Sequence, residues 1–372
     1  MKIWYGLLIF VPVAVAAELM GAAPLLIFVL SALAILPLST LLGDATEHLA
    51  AYAGPTVGGL LNATLGNLAE LIIAIIALRA GLLDLVKASI TGSIIGNLLL
   101  VLGVAQVVGG MKYKVQKFSP HLAGMNAALL IIAAVGLVVP ALFHGAHPDP
   151  ARVQTVRMSE FVAVVLIIGY GLSLLYSMGT HRDAFAESAN EAGKEIAHGA
   201  HGAGGSERDA KGEGGDHGEV GWSLTRSIVT LLVVAVAIAF MSELLVGATQ
   251  ESIHTLGLSE LFVGIIVVPI IGNAAEHSAA ILMAARNRMD LAVGIAVGSS
   301  VQVALLVAPL LVFAGLLFGQ PMDLAFTTFE VASVALAVWI GAAIVVDAES
   351  NWLEGALLLC VYAILAVAFF FF

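Results

Sequence analysis

Long apolar runs follow one another along almost the whole chain, broken only by glycine, proline and scattered charges. A helix that spans a bilayer needs roughly 20 apolar residues. Runs of that length stand at 4–20, 24–52, 57–81, 84–109, 121–142, 158–179, 223–249, 259–285, 290–318, 324–346 and 352–372. Of the 372 residues 60% are hydrophobic and 11% charged, against about 25% charged in a soluble domain. So few charges cannot coat a water-facing surface, and lipid must be the solvent for most of the chain. The sequence therefore predicts an all-α polytopic membrane protein of about eleven transmembrane helices. The N-terminal run lacks a cleavage site of small residues and is read as a first span, not a signal peptide. With the N-terminus in the cytoplasm, lysine and arginine divide eleven inside to four outside, or seven to four without the loop 181–221. That bias orients the chain, and a prokaryotic plasma (inner) membrane is its expected place.

The net charge of −11 points to no basic partner, because nine acids sit in the single loop 181–221. No basic patch suits nucleic acid. The single cysteine, Cys360, can form no disulfide within the chain. No HExxH-type cluster or nucleophile–base pair is present, so the chain is not read as an enzyme and no cofactor is expected.

An internal repeat narrows the architecture. Residues 66–103 align without gaps on 272–309 at a constant offset of 206. The matches include Gly66/Gly272, Asn67/Asn273, Glu70/Glu276, Asp84/Asp290, Gly92/Gly298 and Ser93/Ser299. Matched leucines mean little in lipid; matched Gly, Asn, Glu and Ser at membrane depth mean more. The offset crosses five spans, an odd number, so the copies enter the membrane in opposite directions. Inverted repeats are common in secondary transporters, with the site at the midplane between the copies. The expected organisation is an N-terminal helix at 1–22, a five-helix repeat at 23–180, an acidic helix and Gly-rich linker at 181–222 and a second five-helix repeat at 223–372.

Glu70 and Glu276 lie mid-span. An ionised carboxylate there is costly unless it meets a cavity, a partner or a cation. Two of them, one from each half, would make a dianionic oxygen site suited to a hard cation such as Ca²⁺. Each follows Gly-Asn by a few residues: Gly66-Asn67-Leu68-Ala69-Glu70 and Gly272-Asn273-Ala274-Ala275-Glu276. Glycine weakens a helix, asparagine starts one, and an acid three residues later completes a capping-box-like pattern. This predicts a helix that breaks and restarts inside the membrane. A kink with the acid paired to a neighbouring polar group is the structural alternative. Ser93 and Asn97 share a helical face, as do Ser299 and Gln302; they suit secondary ligands or plain helix–helix hydrogen bonds.

Glu47, Glu243 and Glu251 stand near span ends, as vestibule or relay acids or as solvated termini. His277 follows the second Glu and suits either tuning of cation choice or an interior hydrogen bond. Asp84 and Asp290 open helices, where an acid suits the N-terminal dipole. In the loop, Asp183, Glu187, Glu191 and Glu195 form one acidic helical face, open to a multivalent cation or simply solvated. His198, His201 and His217 are too loosely spaced for a zinc site.

The two Gly-Asn-x-x-Glu segments resemble the paired α-repeat signatures of the cation/proton exchangers, a branch of the calcium/cation antiporter superfamily. Gly92-Ser93-Ile94-Ile95-Gly96-Asn97 and Gly298-Ser299-Ser300-Val301-Gln302 resemble their continuations, and His277 resembles the cation/proton branch in particular. The resemblance implies exchange of Ca²⁺ for H⁺ by alternating access, with both ions as transported substrates and Glu70 and Glu276 as the central metal and proton ligands. It implies pathway roles for Asn67, Asn273, Ser93, Ser299, Asn97 and Gln302, and an acidic helix at 183–195, here with sparser acids than is usual in the family. A Na⁺ or K⁺/H⁺ antiporter on the same scaffold is the near alternative, and a cation channel the alternative of another class. A homo-oligomer is compatible with all three.

Overall fold

The structure is a computed structural model and describes residues 6–147, 151–180 and 222–372. Asp183, Glu187, Glu191 and Glu195 lie outside the described residues. In a bilayer core the backbone finds no water, so each segment must satisfy its own N–H and C=O groups, and helices result. They are α1 (Phe10–Leu19), α2 (Pro24–Leu65), α3 (Leu68–Arg79), α4 (Leu83–Lys112), α5 (Pro120–Ala146), α6 (Val153–Gly179), α7 (Leu224–Leu256), α8 (Glu260–Gly272), α9 (Ala274–Ala285), α10 (Met289–Leu317), α11 (Thr328–Val345) and α12 (Trp352–Phe371). A two-residue antiparallel ladder pairs β1 (Gln116–Lys117) with β2 (Glu349–Ser350).

Among the described residues eight helices are long and apolar enough to span a membrane, and α8 with α9, bent by 65°, makes a ninth. The eleven expected spans are compatible with this; the other two are the shorter α1 and the segment 58–79. Helix α2 is not one straight rod. A Cβ on Gly58 would strike the carbonyl of Ala50, whereas eight residues of straight helix advance about 12 Å. The chain therefore turns back between them, and the returning arm continues into α3.

The linkers sort onto two faces. On one, Arg79 lies over the Phe318 ring at 5.9 Å and Arg152 donates to Asp323 at 2.8 Å. On the other, Gln116 donates to Asn287 at 3.0 Å and Lys117 pairs with Glu349 at 3.3 Å. Helix α4 thus runs from the first face to the second, and α10 from the second to the first, which is the inversion that the repeat implied. These two helices form the centre: 72% and 61% of their apolar windows are buried, against 17% for α6 and 22% for α12 at the lipid rim. Helices α2 and α7 lie along each other as a pair, with α1 on the outside of α2.

Both central helices carry a π-helical turn, Gly96–Val101 in α4 and Val303–Val307 in α10. The 206-residue offset superposes them almost residue for residue. Such turns concentrate at functional sites.

Candidate functional site

The helices break where Gly-Asn stands. Asn67 (φ −91°, ψ 20°) separates α2 from α3, and Asn273 (φ −101°, ψ 18°) separates α8 from α9. The break is as expected; the capping box is not. Neither asparagine caps its helix through its side chain, and neither glutamate turns back to it. A buried amide has both donors and an acceptor to satisfy, and the opposite repeat offers better partners than its own first turn.

Those partners form one connected network. Ser93 donates to Glu70 Oε1 and accepts from Asn273 Nδ2 at 3.1 Å. Ser299 donates to Glu276 Oε2, stands 3.1 Å from Asn67 Oδ1, and accepts from Asn97 Nδ2 at 3.0 Å. Its single proton can serve Glu276 or Asn67, not both at once. Asn67 Nδ2 donates to Gln302 Oε1 at 2.7 Å. Each asparagine therefore supports the serine–glutamate pair of the other half. The glycines cross over in the same way. A Cβ on Gly66 would lie 3.3 Å from Glu276 Oε1, and one on Gly272 would lie 3.5 Å from Glu70 Cβ. So Glu70, Glu276, Asn67, Asn273, Ser93, Ser299, Asn97 and Gln302 meet in one place between α3, α4, α9 and α10.

The two carboxyl groups differ in setting. Glu70 is 3% exposed, and its Oε2 has no hydrogen-bond partner among the described residues. Glu276 is half-buried. His277, also half-buried, leaves Nε2 without a partner among the described residues. Among the described residues no three His, Cys, Asp or Glu side chains converge as a metal cluster. Two carboxylates amid amide and hydroxyl oxygens form a hard donor set, which fits Ca²⁺ as cargo better than a softer metal.

The other expected residues stand apart. Glu47 and Glu251 are exposed. Glu243 is exposed too and lines a cavity of about 420 Å³ with Arg79 and Gln250, between α3 and α7. Asp290 accepts from the Ser119 amide at 2.6 Å, and Asp84 lies in the first turn of α4, both at helix starts as read.

Comparison with known proteins places this arrangement. The sequence profile described as "Sodium/calcium exchanger protein" matches residues 23–179 and 226–371. The chain belongs to that family. It is 44% identical to the "Ca(2+)/H(+) antiporter" of Aphanothece halophytica, over 99% of this chain and 96% of the relative. It is 40% identical to the "Ca(2+)/H(+) antiporter ChaA" of Bacillus subtilis, over 97% and 96%. The solved structure of native YfkE superposes with a TM-score of 0.81 at 36% identity, covering both chains fully. That of the H⁺/Ca²⁺ exchanger CAX has a TM-score of 0.72 at 16% identity, over 99% of this chain and 91% of that one, and supports the fold alone. The family resemblance read from the two α-repeats is thus correct.

One group of residues escaped the sequence reading. Lys87 is buried and clasps Asp323; Thr91 reaches Glu330, which itself closes a capping box with Thr327. The available signal was a lysine in Leu85-Val86-Lys87-Ala88-Ser89 and an aspartate between Met322 and Leu324. A charge inside an apolar run requires a partner.

Proposed function

We propose that the chain is a secondary antiporter that exchanges Ca²⁺ for H⁺ across a membrane by alternating access. The observation that carries the reading is the joining of two mid-span acids, one from each inverted half, by a network whose members come from both halves. Glu70 and Glu276 take up either one Ca²⁺ or protons. Two carboxylates are neutralised equally by a divalent cation or by two protons, whereas the empty dianion is costly to move through a medium of low dielectric. That asymmetry couples the two fluxes: the site crosses loaded, with one cargo or the other. Asn67, Asn273, Ser93, Ser299, Asn97 and Gln302 supply neutral oxygens and set the carboxylates in place. The α2–α7 pair, lying beside the broken helices, is the element suited to move against the α4–α10 centre and open one side at a time.

The segments 23–180 and 223–372 act as the two halves, with 1–22 as an added helix and 181–222 as the connector. The chain is multi-pass, in a prokaryotic plasma membrane, with its N-terminus in the cytoplasm. The names of its bacterial relatives support Ca²⁺ as the cargo. The test is Ca²⁺-driven proton flux in proteoliposomes. Glu70→Gln and Glu276→Gln are each expected to abolish it, and wild-type exchange by either variant would remove that residue from the site.

A further inference from the structure

A second buried polar cluster lies against the opposite side of α4 from the site. Lys87 and Thr91 stand four residues apart on one face of α4. Ser93, two residues beyond Thr91, points about 200° away, to Glu70. Lys87 is 6% exposed; its Nζ donates to Asp323 and, at 3.1 Å, to the Ala325 carbonyl. Asp323 also accepts from Arg152 at 2.8 Å and from the Ala325 amide at 3.0 Å. One turn deeper, Thr91 donates to Glu330 Oε1 at 3.2 Å, while Glu330 Oε2 accepts from the Thr327 amide at 2.9 Å and hydroxyl at 2.8 Å. Two cations and two carboxylates balance in this cluster.

The linker that carries Asp323 has an inverted counterpart. Offset by 206, it corresponds to 113–119, which folds onto the start of α10 through the Ser119 amide on Asp290 and Gln116 on Asn287. Each half thus ties down the central helix of the other. The tie on α4 is a buried ion pair. It holds the helix whose other side bears Ser93 and Asn97, the two groups that reach Glu70 and Ser299. A side-chain oxygen sits several ångströms off the helix axis, so a rotation of ~20° carries it ~1.5 Å. That is enough to lose a hydrogen bond.

We propose that Lys87, held by Asp323, is a positioning residue for cation exchange: it fixes the rotation of α4 and thereby keeps the Ser93 hydroxyl on Glu70. This rests on the placing of Glu70 and Ser93 in the transport site. The experiment measures initial Ca²⁺ uptake into proteoliposomes against an imposed pH gradient, over a range of Ca²⁺ concentrations, normalised to monodisperse protein. Lys87→Met raises KM about tenfold, while the saturating rate falls less than about threefold. Lys87→Arg, which keeps the charge, holds KM within about threefold of wild type. In a Ser93→Ala background, Lys87→Met adds less than about twofold, because the hydroxyl it positions is already gone. If Lys87→Met does not fold, Asp323→Asn carries the same expectations. An unchanged KM with a lower saturating rate would reduce Lys87 to a purely structural role and overturn the proposal. So would effects that multiply in full with Ser93→Ala. Glu70→Gln is measured alongside: exchange by that variant would withdraw the site itself, whereas its inactivity beside a normal KM in Lys87→Met withdraws the clamp alone.

Discussion

Alanine at Gly92 and alanine at Gly298 are the same edit in two copies of one repeat, yet the structure sets opposite outcomes for them. A Cβ on Gly92 would stand 2.6 Å from the carbonyl carbon of Ile265 in α8; at Gly298 it would meet nothing within 4 Å. The Ile265 carbonyl oxygen stands closer still, so relieving the first collision requires α4 and α8 to part by more than about 1 Å before ordinary contact is restored. Overpacking of this kind costs about 1–3 kcal/mol. The larger effect is on transport. Ser93 is the next residue, and a displacement of about 1 Å at a reacting group can cost on the order of 100-fold in rate. Gly92→Ala should therefore lower the thermal-aggregation midpoint of the detergent-solubilised protein and reduce Ca²⁺ uptake by ~10- to 100-fold. Gly298→Ala should keep uptake within about twofold and gain up to ~1 kcal/mol from helix propensity. Both variants are measured by size-exclusion thermostability and by uptake into proteoliposomes. Equal behaviour of the two, or full activity of Gly92→Ala, would refute the claim that α4 and α8 meet backbone to backbone beside the site.

Two further outcomes follow from the charges at the first face. Burial alone would push the Asp323 carboxyl up, but the Lys87 charge and hydrogen bond, helped by Arg152, hold it below the ordinary 3.8. A group depressed in the folded state stabilises it fully above the ordinary carboxylate range and loses that contribution as pH falls through the folded value. Wild-type thermal stability should drop below about pH 4, and Asp323→Asn should flatten that limb while lowering stability at pH 7; an unaltered acid limb in the variant would speak against the ion pair. Glu243, exposed at its cavity, should act only as a rim charge: Glu243→Gln changes the Ca²⁺ KM by less than about threefold, and the change fades as salt is raised. A loss of exchange comparable with that of Glu70→Gln would place Glu243 among the central ligands instead.

The legible part of this protein is the part written in short range. Apolar runs define spans because lipid forbids an unpaired backbone, and Gly-Asn at mid-span marks a break because glycine and asparagine destabilise a continuing helix. The odd number of spans between Glu70 and Glu276 is enough to invert the copies. The residues of the network could be named for the same reason: polar groups at membrane depth are rare, and their spacing puts Ser93 with Asn97 and Ser299 with Gln302 on common faces. Their partners could not be named. Local pattern pairs Asn67 with Glu70 and Asn273 with Glu276 as capping boxes, but the fold sends Asn273 to the serine of the first half and Asn67 to that of the second.

By itself, then, the sequence determined the solvent, the opposite directions of the two repeats, and which polar groups had to be satisfied inside them. The tertiary structure alone decided who satisfies whom. It exchanged the asparagines between halves, gave Gly92 a backbone neighbour and left Gly298 without one, and closed Lys87 on Asp323 across 236 positions of chain. The reason is physical: hydrophobic periodicity and backbone propensity act over a few residues, whereas a buried donor seeks the nearest acceptor in space, and that acceptor is fixed only when two inverted bundles interlock.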